Sequence, residues 1–483
     1  MMKTLFLNPP SFENFDAGAS SRWPSTREVW SFWYPVWLAY PAAMVPGSRL
    51  LDASPHGITP QETVRIAADY EFVVLFSSTA GFYSDVKLAE EMKKAKPALK
   101  IAFVGPPVSV QPEESLAASE AIDFVTDKEF DFQVVEFAGG KPLEEIAGVA
   151  FRKEGRVVRT PPRPLHPNLD DFPWVTPVYK RDLDITKYNI PFLLHPYVAL
   201  YTTRGCPALC TFCLWPKTFD MHPWRERSIP NVVEEVQWTL KSFPQAREIF
   251  FDDDTFTIRK DRVLALCKEF KKLRFTWSCN TRVHVDHETI RAMREAGCRL
   301  YIVGFESGDP QILKNIKKGT TVEQARTFMK NCKQVGMKVH GDFIIGLPGE
   351  TPETINRTIR FAKELDPETI QVSIAHAFPG TELYRYVTEN GYFRKDAEMT
   401  ATTGHQQPHI EYPGLSRSAM MEAVDRFYLE YFLRPHALWR VIRKSIFDGR
   451  ERQRLTREAR QFLRLHGDRK KFVEREQGVG AAL

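Results

Sequence analysis

Short apolar runs and helical stretches alternate over the first part of the chain. The apolar runs are Thr4–Asn8, Phe72–Ser77 and Lys100–Val104, and Leu88–Lys96 has a helical pattern. Each apolar run is followed by proline, glycine or small polar residues. Continuous apolar runs of this length are typical of parallel strands that are buried on both faces, and such sheets bind ligands above the carboxyl ends of the strands. The pattern predicts a Rossmann-like α/β domain over residues 1–150.

A proline-rich stretch follows this first domain. Prolines are concentrated between Thr160 and Pro177. Proline at this density disfavours the interior of helices and of sheets. We therefore expect a linker, over residues 151–195, that runs across a surface.

Strand and helix patterns alternate again from Val198 to about Leu383. Six predicted strands separated by helices favour a partial (β/α)6-type barrel over residues 196–385, with an active site at the carboxyl ends of its strands. The predicted strands are Ala199–Thr203, Glu248–Asp253, Thr276–Asn280, Leu300–Glu306, Val339–Gly346 and Ile370–Ala377.

The last segment, residues 386–483, is predicted to be mostly helical and basic. Between Arg434 and Lys471 there are 13 Lys or Arg and four Asp or Glu, and apolar residues are interleaved with them. Two interpretations remain open. The charges either cover the outer face of packed helices or form a surface patch that attracts anionic lipid or a charged partner.

Composition excludes several classes of protein. The chain has 483 residues, of which 43% are hydrophobic and 26% charged, so we expect a large buried core. A net charge of +5 is too small to indicate a nucleic-acid partner. No apolar run approaches the roughly 20 residues that span a bilayer, and Met1–Pro10 does not have the layout of a secretory signal. The expected location is the cytoplasm.

Three of the seven cysteines lie within eight residues. Cys206, Cys210 and Cys213 form a C-x3-C-x2-C loop directly after a predicted strand. Thiolates are the ligands of iron–sulfur clusters, and three of them hold three irons of a cubane and leave the fourth iron open. A structural zinc site needs four ligands, and His222 is the one nearby candidate for a fourth. The sequence therefore favours a [4Fe–4S] cluster.

The other four cysteines, Cys267, Cys279, Cys298 and Cys332, are isolated along the chain. An odd number of scattered cysteines is not a disulfide framework. We expect these four side chains to be buried as small hydrophobic groups.

The cysteine loop and five later strand ends together resemble the radical S-adenosylmethionine (SAM) superfamily. The resemblance implies that the open iron chelates SAM and that reductive cleavage of SAM gives a 5′-deoxyadenosyl radical. The later motifs that carry it are Phe251–Phe256, Asn280–Arg282, Gly304–Gly308, Gly346–Thr351 and Pro379–Thr381.

The resemblance also implies roles for single residues around the cofactor. Phe212, just before the third cysteine, would lie against the adenine of SAM. Acidic residues stand where the family usually has Gly-Gly-Glu. Asp253 or Asp254 is therefore expected to bind the amine of SAM, and Asp252 also remains a candidate.

Three further residues complete the expected SAM site. Arg282 has a guanidinium that matches a carboxylate with two hydrogen bonds. Glu306 is expected to accept hydrogen bonds from the ribose hydroxyls. Gly346 allows the backbone to approach the adenine closely, or simply allows a tight turn.

A Rossmann-like domain ahead of this barrel resembles the cobalamin-dependent subfamily. The resemblance implies bound cobalamin, with the alternative that the domain has lost this ability. An Asp-x-His-x-x-Gly motif is absent, and Asp52 and His56 have the wrong spacing. Cobalamin is therefore expected in a base-off state without a histidine ligand. The residues expected beneath the corrin are Asn8, Ser78, Thr79, Gly81, Gly105 and Pro106.

Two N-terminal stretches, Met2–Asp16 and Tyr34–Pro41, resemble radical SAM proteins associated with hopanoid lipid biosynthesis. That similarity implies a cyclitol ether synthase, which contracts the sugar ring of bacteriohopanetetrol glucosamine to a five-membered aminocyclitol. A lipid-linked substrate would suit peripheral attachment at the inner face of a membrane. The aromatic residues of this region would then contact the apolar part of the lipid. The alternative is that they pack in the protein core. These aromatic residues are Trp23, Trp30, Trp33, Tyr34 and Trp37.

Rival functions share parts of this pattern. A cobalamin-dependent methyltransferase acting on an unactivated carbon has the same domain order. A methylthio-transferring tRNA enzyme would need a second cysteine cluster, and a non-catalytic iron–sulfur interaction protein would not need the SAM motifs. The enzyme interpretation implies a reducing electron donor such as flavodoxin or ferredoxin, and no nucleic acid.

Overall fold

Two sheets organise the chain. The computed structural model describes residues 1–12, 31–219, 222–394, 399, 405–447 and 449–478. The first sheet has seven strands and the second has six. None of the helices among these residues is both long and apolar enough to cross a membrane.

The first sheet has the strand order β2-β1-β3-β4-β5-β6-β7. Its first five strands are parallel, and β6 and β7 add an antiparallel edge. These strands are Thr4–Asn8 (β1), Arg49–Asp52 (β2), Phe72–Phe76 (β3), Lys100–Val104 (β4), Phe124–Thr126 (β5), Val149–Lys153 (β6) and Arg156–Arg159 (β7).

Apolar side chains cover both faces of this sheet. Phe6 of β1 belongs to one hydrophobic cluster, whereas Leu5 and Leu7 belong to another. The burial of both faces explains the continuous apolar runs in the sequence. The sheet extends to Arg159, so the predicted boundary at residue 150 falls inside β6.

The second sheet is a partial barrel of six parallel strands in the order β15-β14-β13-β12-β11-β8. Each strand pairs with its neighbour in the chain among these six, as expected of a βα-repeat. The six strands are Tyr197–Leu200 (β8), Glu248–Phe251 (β11), Trp277–Thr281 (β12), Cys298–Glu306 (β13), Lys338–Ile345 (β14) and Thr369–Ile374 (β15), and an antiparallel pair is formed by Thr203–Arg204 (β9) and Arg225–Glu226 (β10).

Nineteen α-helices occur in the described residues, and three 3₁₀ turns lie at Leu143–Glu145, Leu169–Asp171 and Ile185–Lys187. The helices are Val36–Met44 (α1), Ala53–His56 (α2), Pro60–Ala67 (α3), Phe82–Ala95 (α4), Pro106–Val110 (α5), Pro112–Ala117 (α6), Asp131–Ala138 (α7), Thr176–Asp182 (α8), Trp215–Phe219 (α9), Ile229–Ser242 (α10), Lys260–Leu273 (α11), His287–Glu295 (α12), Pro310–Asn315 (α13), Val322–Gln334 (α14), Pro352–Leu365 (α15), Glu382–Glu389 (α16), Arg417–Phe432 (α17), Pro435–Phe447 (α18) and Gly449–Glu476 (α19).

The predicted linker, residues 151–195, contributes to the core as well as to the surface. Tyr179 and Tyr188 are completely buried. Both rings contact Tyr34, whose hydroxyl donates to the backbone oxygen of Tyr197 in β8 at 2.6 Å. The expected surface linker is therefore partly an internal packing element, because its tyrosines fill space beside the barrel. Trp23 and Trp30 lie outside the described residues.

Helix α17 packs against the last strands of the barrel. The hydroxyl of Tyr428 accepts a hydrogen bond from the backbone of Val372 at 2.8 Å, and the hydroxyl of Tyr431 donates to the backbone oxygen of Pro367. The predicted helical character of the C-terminal region is confirmed.

Candidate active site

One cavity of about 290 Å³ joins the two predicted cofactor regions. It is lined by strand ends of the first sheet, by the cysteine loop and by inward-facing positions of the barrel. Its lining side chains include Trp33, Phe76, Ser78, Pro106, Phe192, Cys206, Cys210, Phe212, Cys213, Trp215, Asp254, Asn280, Arg282, Glu306, Lys318, Asp342, Leu347, Gln371, Ser373 and His376.

The three cysteines of the loop all line this cavity. The loop is held by backbone hydrogen bonds from Cys213 to Cys210 at 3.2 Å and from Thr211 to Ile316 at 3.0 Å. Burial, with added repulsion from Cys210 and Asp254, raises the pKa of the Cys213 thiol to about 12. A cationic group between the thiols would relieve this repulsion.

The arrangement of these thiols differs from that of a closed zinc site. Within the described residues, no three His, Cys, Asp or Glu side chains converge on a single metal ion. A zinc site requires such convergence, whereas the cysteines of a cubane each bind a different iron. Three thiolates match the three irons of a cubane that protein side chains hold, and they are one ligand short of a structural zinc site.

The three aspartates after β11 have different surroundings. Asp254 lines the cavity. Asp253 is completely buried, accepts hydrogen bonds from the backbone of Thr202 at 2.8 Å and from the hydroxyl of Thr203 at 2.5 Å, and is not among the lining residues. Burial raises the pKa of the Asp253 carboxyl, although these hydrogen bonds oppose the shift. Asp252 accepts from the amide of Asn280 at 2.9 Å. Of the three, the structure brings only Asp254 to the cavity.

Two cations lie close to Cys210, and one of them is paired with a carboxylate. One guanidinium nitrogen of Arg282 is 3.8 Å from the sulfur of Cys210, and the other donates to the backbone oxygen of Lys318. The ammonium of Lys318 donates to Oε1 of Glu306 at 2.7 Å, and both side chains are largely buried. Burial alone would lower the pKa of Lys318, but Glu306 and Cys210 outweigh it and raise that pKa. This lysine is therefore a permanent cation beside the cluster loop.

Glu306 has an unusual backbone. Its φ is +63°, and the β13–β14 register shifts between Gly304 and Glu306. A left-handed conformation is rare for a residue with a side chain, and such strain is concentrated at functional sites. The bulge turns the Glu306 carboxylate into the cavity.

The glycine-rich turn after β14 is closed by a buried carboxylate. Gly346 has φ +91°, and its N–H donates to Oε2 of Glu350 at 2.6 Å. Gly346 is not among the lining residues, whereas Leu347 lines the cavity. Burial raises the pKa of the Glu350 carboxyl to about 8. Phe212 lines the cavity.

The residues predicted for cobalamin divide into two groups. Ser78 and Pro106 line the cavity. The amide of Asn8 donates instead to Asp52 at 2.7 Å. Thr79, Gly81 and Gly105 lie in the same loops but not in the lining, and a Cβ on Gly105, which has φ +110°, would be 2.5 Å from the backbone oxygen of Ser77.

His56 is occupied by the backbone. Its Nδ1 is 2.7 Å from the backbone oxygen of Asp52, and its Nε2 accepts from the backbone N–H of Asp184 at 3.1 Å. With both ring nitrogens engaged, this histidine is not placed to bind cobalt.

Sequence reasoning missed a set of polar residues deeper in the barrel. Asp342 is paired in register with Gly304 on one side and with Gln371 on the other, and all three line the cavity. His376 follows β15, and burial followed by the influence of His409 holds its pKa well below the ordinary range. The signal was present as polar residues at alternate positions of otherwise apolar strands. The other additions to the site are Lys318 and Ser373.

The four isolated cysteines are buried, as predicted. His222, the candidate fourth zinc ligand, is half-buried and does not line the cavity.

Comparison with known proteins agrees with this geometry. Residues 200–362 match the radical SAM superfamily. The uncharacterized methyltransferase PH0819 of Pyrococcus horikoshii is 30% identical over 460 residues, which is 93% of this chain and 95% of that protein.

Two solved structures share the fold along most of the chain. The radical SAM methyltransferase TsrM of Kitasatospora setae, solved with cobalamin and a [4Fe–4S] cluster, has a TM-score of 0.67 at 15% identity and covers 95% of this chain and 99% of its own. The cobalamin-dependent radical SAM enzyme OxsB has a TM-score of 0.70 at 14% identity, with 97% and 71% covered. Cysteine loop, barrel, cavity and whole-chain similarity together show that this chain belongs to the radical SAM superfamily of enzymes.

Proposed function

We propose that this protein is a cobalamin-dependent radical SAM methyltransferase that acts on an unactivated carbon. The observation that carries the proposal is the cavity that is lined by the cysteine loop on one side and by Ser78 and Pro106 of the first sheet on the other. A methyl group held above the first sheet would therefore share one cavity with a substrate held in the barrel. The 30% identity to a methyltransferase along nearly the whole chain supports the same reaction.

The residues present fit the cofactors that this reaction needs. Cys206, Cys210 and Cys213 would hold a [4Fe–4S] cluster, and Ser78 and Pro106 would lie beneath cobalamin. When bound, the cluster and SAM supply a hydrogen-abstracting radical, and cobalamin supplies the methyl group. Because His56 is engaged by the backbone, cobalamin is expected to bind without a histidine ligand.

The chain offers complementary groups for each part of SAM. Asp254 would accept hydrogen bonds from the amine. Arg282 and Lys318 provide positive charge for the carboxylate, and Glu306 provides acceptor oxygens for the ribose hydroxyls. Phe212 and Leu347 offer apolar surface to the adenine. These roles rest on position and on charge.

The polar floor of the cavity suits a substrate that carries hydroxyl or amino groups. Asp342, Gln371 and Ser373 all line the cavity on adjacent strands. A few polar side chains that converge on an otherwise apolar cavity are typical of sites that orient a polar ligand. We therefore expect the reacting carbon to lie next to such polar groups.

This polar floor also favours a second candidate, which is contraction of an amino sugar linked to a hopanoid lipid. The first step would be the same hydrogen abstraction, and the product would be an aminocyclitol ether. Trp33 and Phe192, which line the cavity, would offer apolar surface to the lipid. Such a substrate would bring the protein to the inner face of a membrane. Either reaction requires a low-potential donor such as flavodoxin or ferredoxin.

Product analysis separates these reactions. The protein would be purified and reconstituted without oxygen, then supplied with reductant, SAM, methylcobalamin and bacteriohopanetetrol glucosamine. S-Adenosylhomocysteine, 5′-deoxyadenosine and a substrate that gains one methyl group would support methyl transfer. 5′-Deoxyadenosine with a substrate of contracted ring, without S-adenosylhomocysteine, would support the second candidate.

Two matched variants show whether turnover depends on the cluster. Cys210→Ala removes a thiol of the loop, whereas Cys267→Ala removes a buried thiol between α11 and the sheet. We expect the first variant to form no 5′-deoxyadenosine and the second to retain it. Equal activity of the two variants would contradict the assignment of the loop.

A further inference from the structure

Large apolar side chains are exposed on the C-terminal helices. Among the described residues, six of the eleven large apolar side chains classed as exposed lie between Leu429 and Leu463. Trp439 is 62% exposed and Leu463 is 66% exposed. Clustered exposure of this kind marks an interaction surface more often than scattered exposure does. We call this surface the C-terminal face and define it by Leu433, Leu438, Trp439, Ile442 and Leu463.

Helical spacing brings part of this surface together. Leu438, Trp439 and Ile442 stand at positions i, i+1 and i+4 of α18 and therefore lie on one side of the helix. Ala437 of the same helix is buried. Helix α18 thus presents one side to the protein and an apolar strip to the outside.

One carboxylate fixes the orientation of α18 on the side that faces the protein. Asp366, at the end of α15, is 2.9 Å from Arg434, 3.1 Å from His436 and 3.5 Å from Arg440. The ring of Tyr431 lies under the Arg434 guanidinium at 4.1 Å. The outward direction of Trp439 is therefore set by contacts on the opposite side of the helix.

The segment that carries the apolar strip is rich in positive charge. The segment from Arg434 to Lys471 carries nine more positive than negative residues. On α19, Arg460, Arg464, Lys470 and Lys471 are exposed, and the nearest carboxylates to Lys470 and Lys471 are 4.0 Å away. Exposed pairs at this distance are weak, so the charges remain available to a partner.

We propose that the C-terminal face docks the protein on the surface of an anionic lipid bilayer. Exposed tryptophan and aliphatic side chains beside lysines and arginines are what an interfacial helix uses to enter the headgroup region. A second copy of the same face would bring like charges together, so the charge favours lipid over self-association. This proposal does not depend on which reaction the active site performs.

Vesicle flotation tests the proposal with the full chain. Vesicles of phosphatidylglycerol and phosphatidylcholine would be compared with vesicles of phosphatidylcholine alone, at low and at high salt. We expect the wild type to float with the anionic vesicles at low salt and to be released by high salt, because screening weakens the attraction. Failure to float with anionic vesicles would overturn the proposal.

Two kinds of variant separate the apolar and the charged contributions. Trp439→Ser combined with Ile442→Ser should lose most of the bound fraction, and Lys470→Glu combined with Lys471→Glu should lose it as well. Tyr83→Ser, which removes an exposed aromatic ring of α4, is the matched control and should float like the wild type. Each protein would first be checked for 5′-deoxyadenosine formation, which all four should retain.

Three results would count against lipid docking. The first is flotation of the Trp439→Ser/Ile442→Ser protein at the wild-type level. The second is equal flotation with neutral and anionic vesicles. The third is a wild-type dimer, measured by sedimentation, that the same double variant dissociates, since that would assign the face to self-association. Failure of methyl transfer would leave all of these measurements unaffected.

Discussion

Arg204 donates two hydrogen bonds to the carboxylate of Asp131, at 2.8 and 3.2 Å, and so ties the cysteine loop to the first domain. Arg204 directly precedes the loop, and Asp131 begins α7. The guanidinium also lies over the rings of Trp37, Tyr40 and Phe172, with centroid distances of 4.3 to 5.0 Å. Burial would lower the pKa of Arg204, but Asp131 and Glu129 outweigh it, so the arginine stays charged. This buried contact fixes the cluster loop relative to the first sheet.

The replacement Arg204→Met is expected to destabilise the protein by about 3–5 kcal/mol, because it leaves the buried Asp131 carboxylate without its partner. Arg204→Met combined with Asp131→Leu should recover much of that loss, since no unpaired charge remains. Denaturant unfolding under anaerobic conditions measures both effects. Lys271→Ala, which breaks the exposed pair with Glu295, is the control and should leave the unfolding midpoint unchanged. A double variant no more stable than Arg204→Met would show that the arginine acts through its ring contacts instead.

The buried pair of Lys318 and Glu306 is expected to govern SAM affinity. Lys318→Met removes a cation that lies beside Cys210 and frees the Glu306 carboxylate from its 2.7 Å contact. We expect the dissociation constant for SAM to rise by about tenfold or more, which corresponds to about 1.4 kcal/mol. Equilibrium binding with the reconstituted cluster measures this change.

The adjacent lysine offers a matched control for that experiment. Lys317 forms an equally short ion pair, at 2.7 Å with Glu382, but both side chains of that pair are about half exposed. Lys317→Met should therefore bind SAM like the wild type. Equal losses in the two variants would point to a general effect on the loop and not to a role at the cofactor.

The buried Glu350 carboxyl is expected to make stability depend on pH. Its pKa is raised by burial from 4.5 to about 8, so the folded protein keeps a proton that the unfolded chain releases. Stability from this group is complete below about pH 4.5 and is lost as the pH rises toward 8, with a slope of up to about 1.4 kcal/mol per pH unit. Glu350→Gln keeps an acceptor for Gly346 and removes the titration. Its free energy of unfolding should therefore exceed that of the wild type by more at pH 8 than at pH 5.5.

The exposed Glu353, in the first turn of α15, supplies the control for this effect. The hydroxyl of Thr351 lowers the pKa of Glu353, the opposite direction to Glu350. Glu353→Gln should leave the loss of stability between pH 5.5 and pH 8 unchanged. A Glu350→Gln profile parallel to the wild type would show that Glu350 is ionised at neutral pH.

The fold was largely predictable because its strands are buried and therefore continuously apolar. Thr4–Asn8 and Lys100–Val104 form strands with the predicted bounds. The short strands β2 and β5 were missed, since three or four residues carry little periodic signal. The antiparallel edge beyond residue 150 was missed because its last strand, β7, is mostly exposed.

Site residues were predictable where the chemistry of the side chain identifies its role. They were less predictable where the role depends on which side chains the fold brings together. The three cysteines and Arg282 reach the cavity, as does Glu306. Sequence could not choose between Asp253 and Asp254, because adjacent residues of an extended segment point in opposite directions and the outcome depends on partners from β9. Lys318 was missed since its contact with Glu306 joins the end of β13 to the loop after α13.

The glycine at position 304 gives the sharpest test of how Glu306 is positioned. A Cβ at Gly304 would overlap Oε1 of Glu306 and would lie 3.0 Å from Nζ of Lys318. Because the obstacle is the end of a flexible side chain, Gly304→Ala should fold and should instead push the Glu306 carboxylate away from its position in the cavity. We expect SAM binding to weaken by about tenfold, with a smaller change in the free energy of unfolding.

Gly467→Ala is the matched control, because nothing lies within 4 Å of its Cβ and it is within α19. That variant should gain roughly 0.5–1 kcal/mol of stability and bind SAM normally. Normal SAM binding by Gly304→Ala, measured beside this control, would remove Glu306 from the cofactor site.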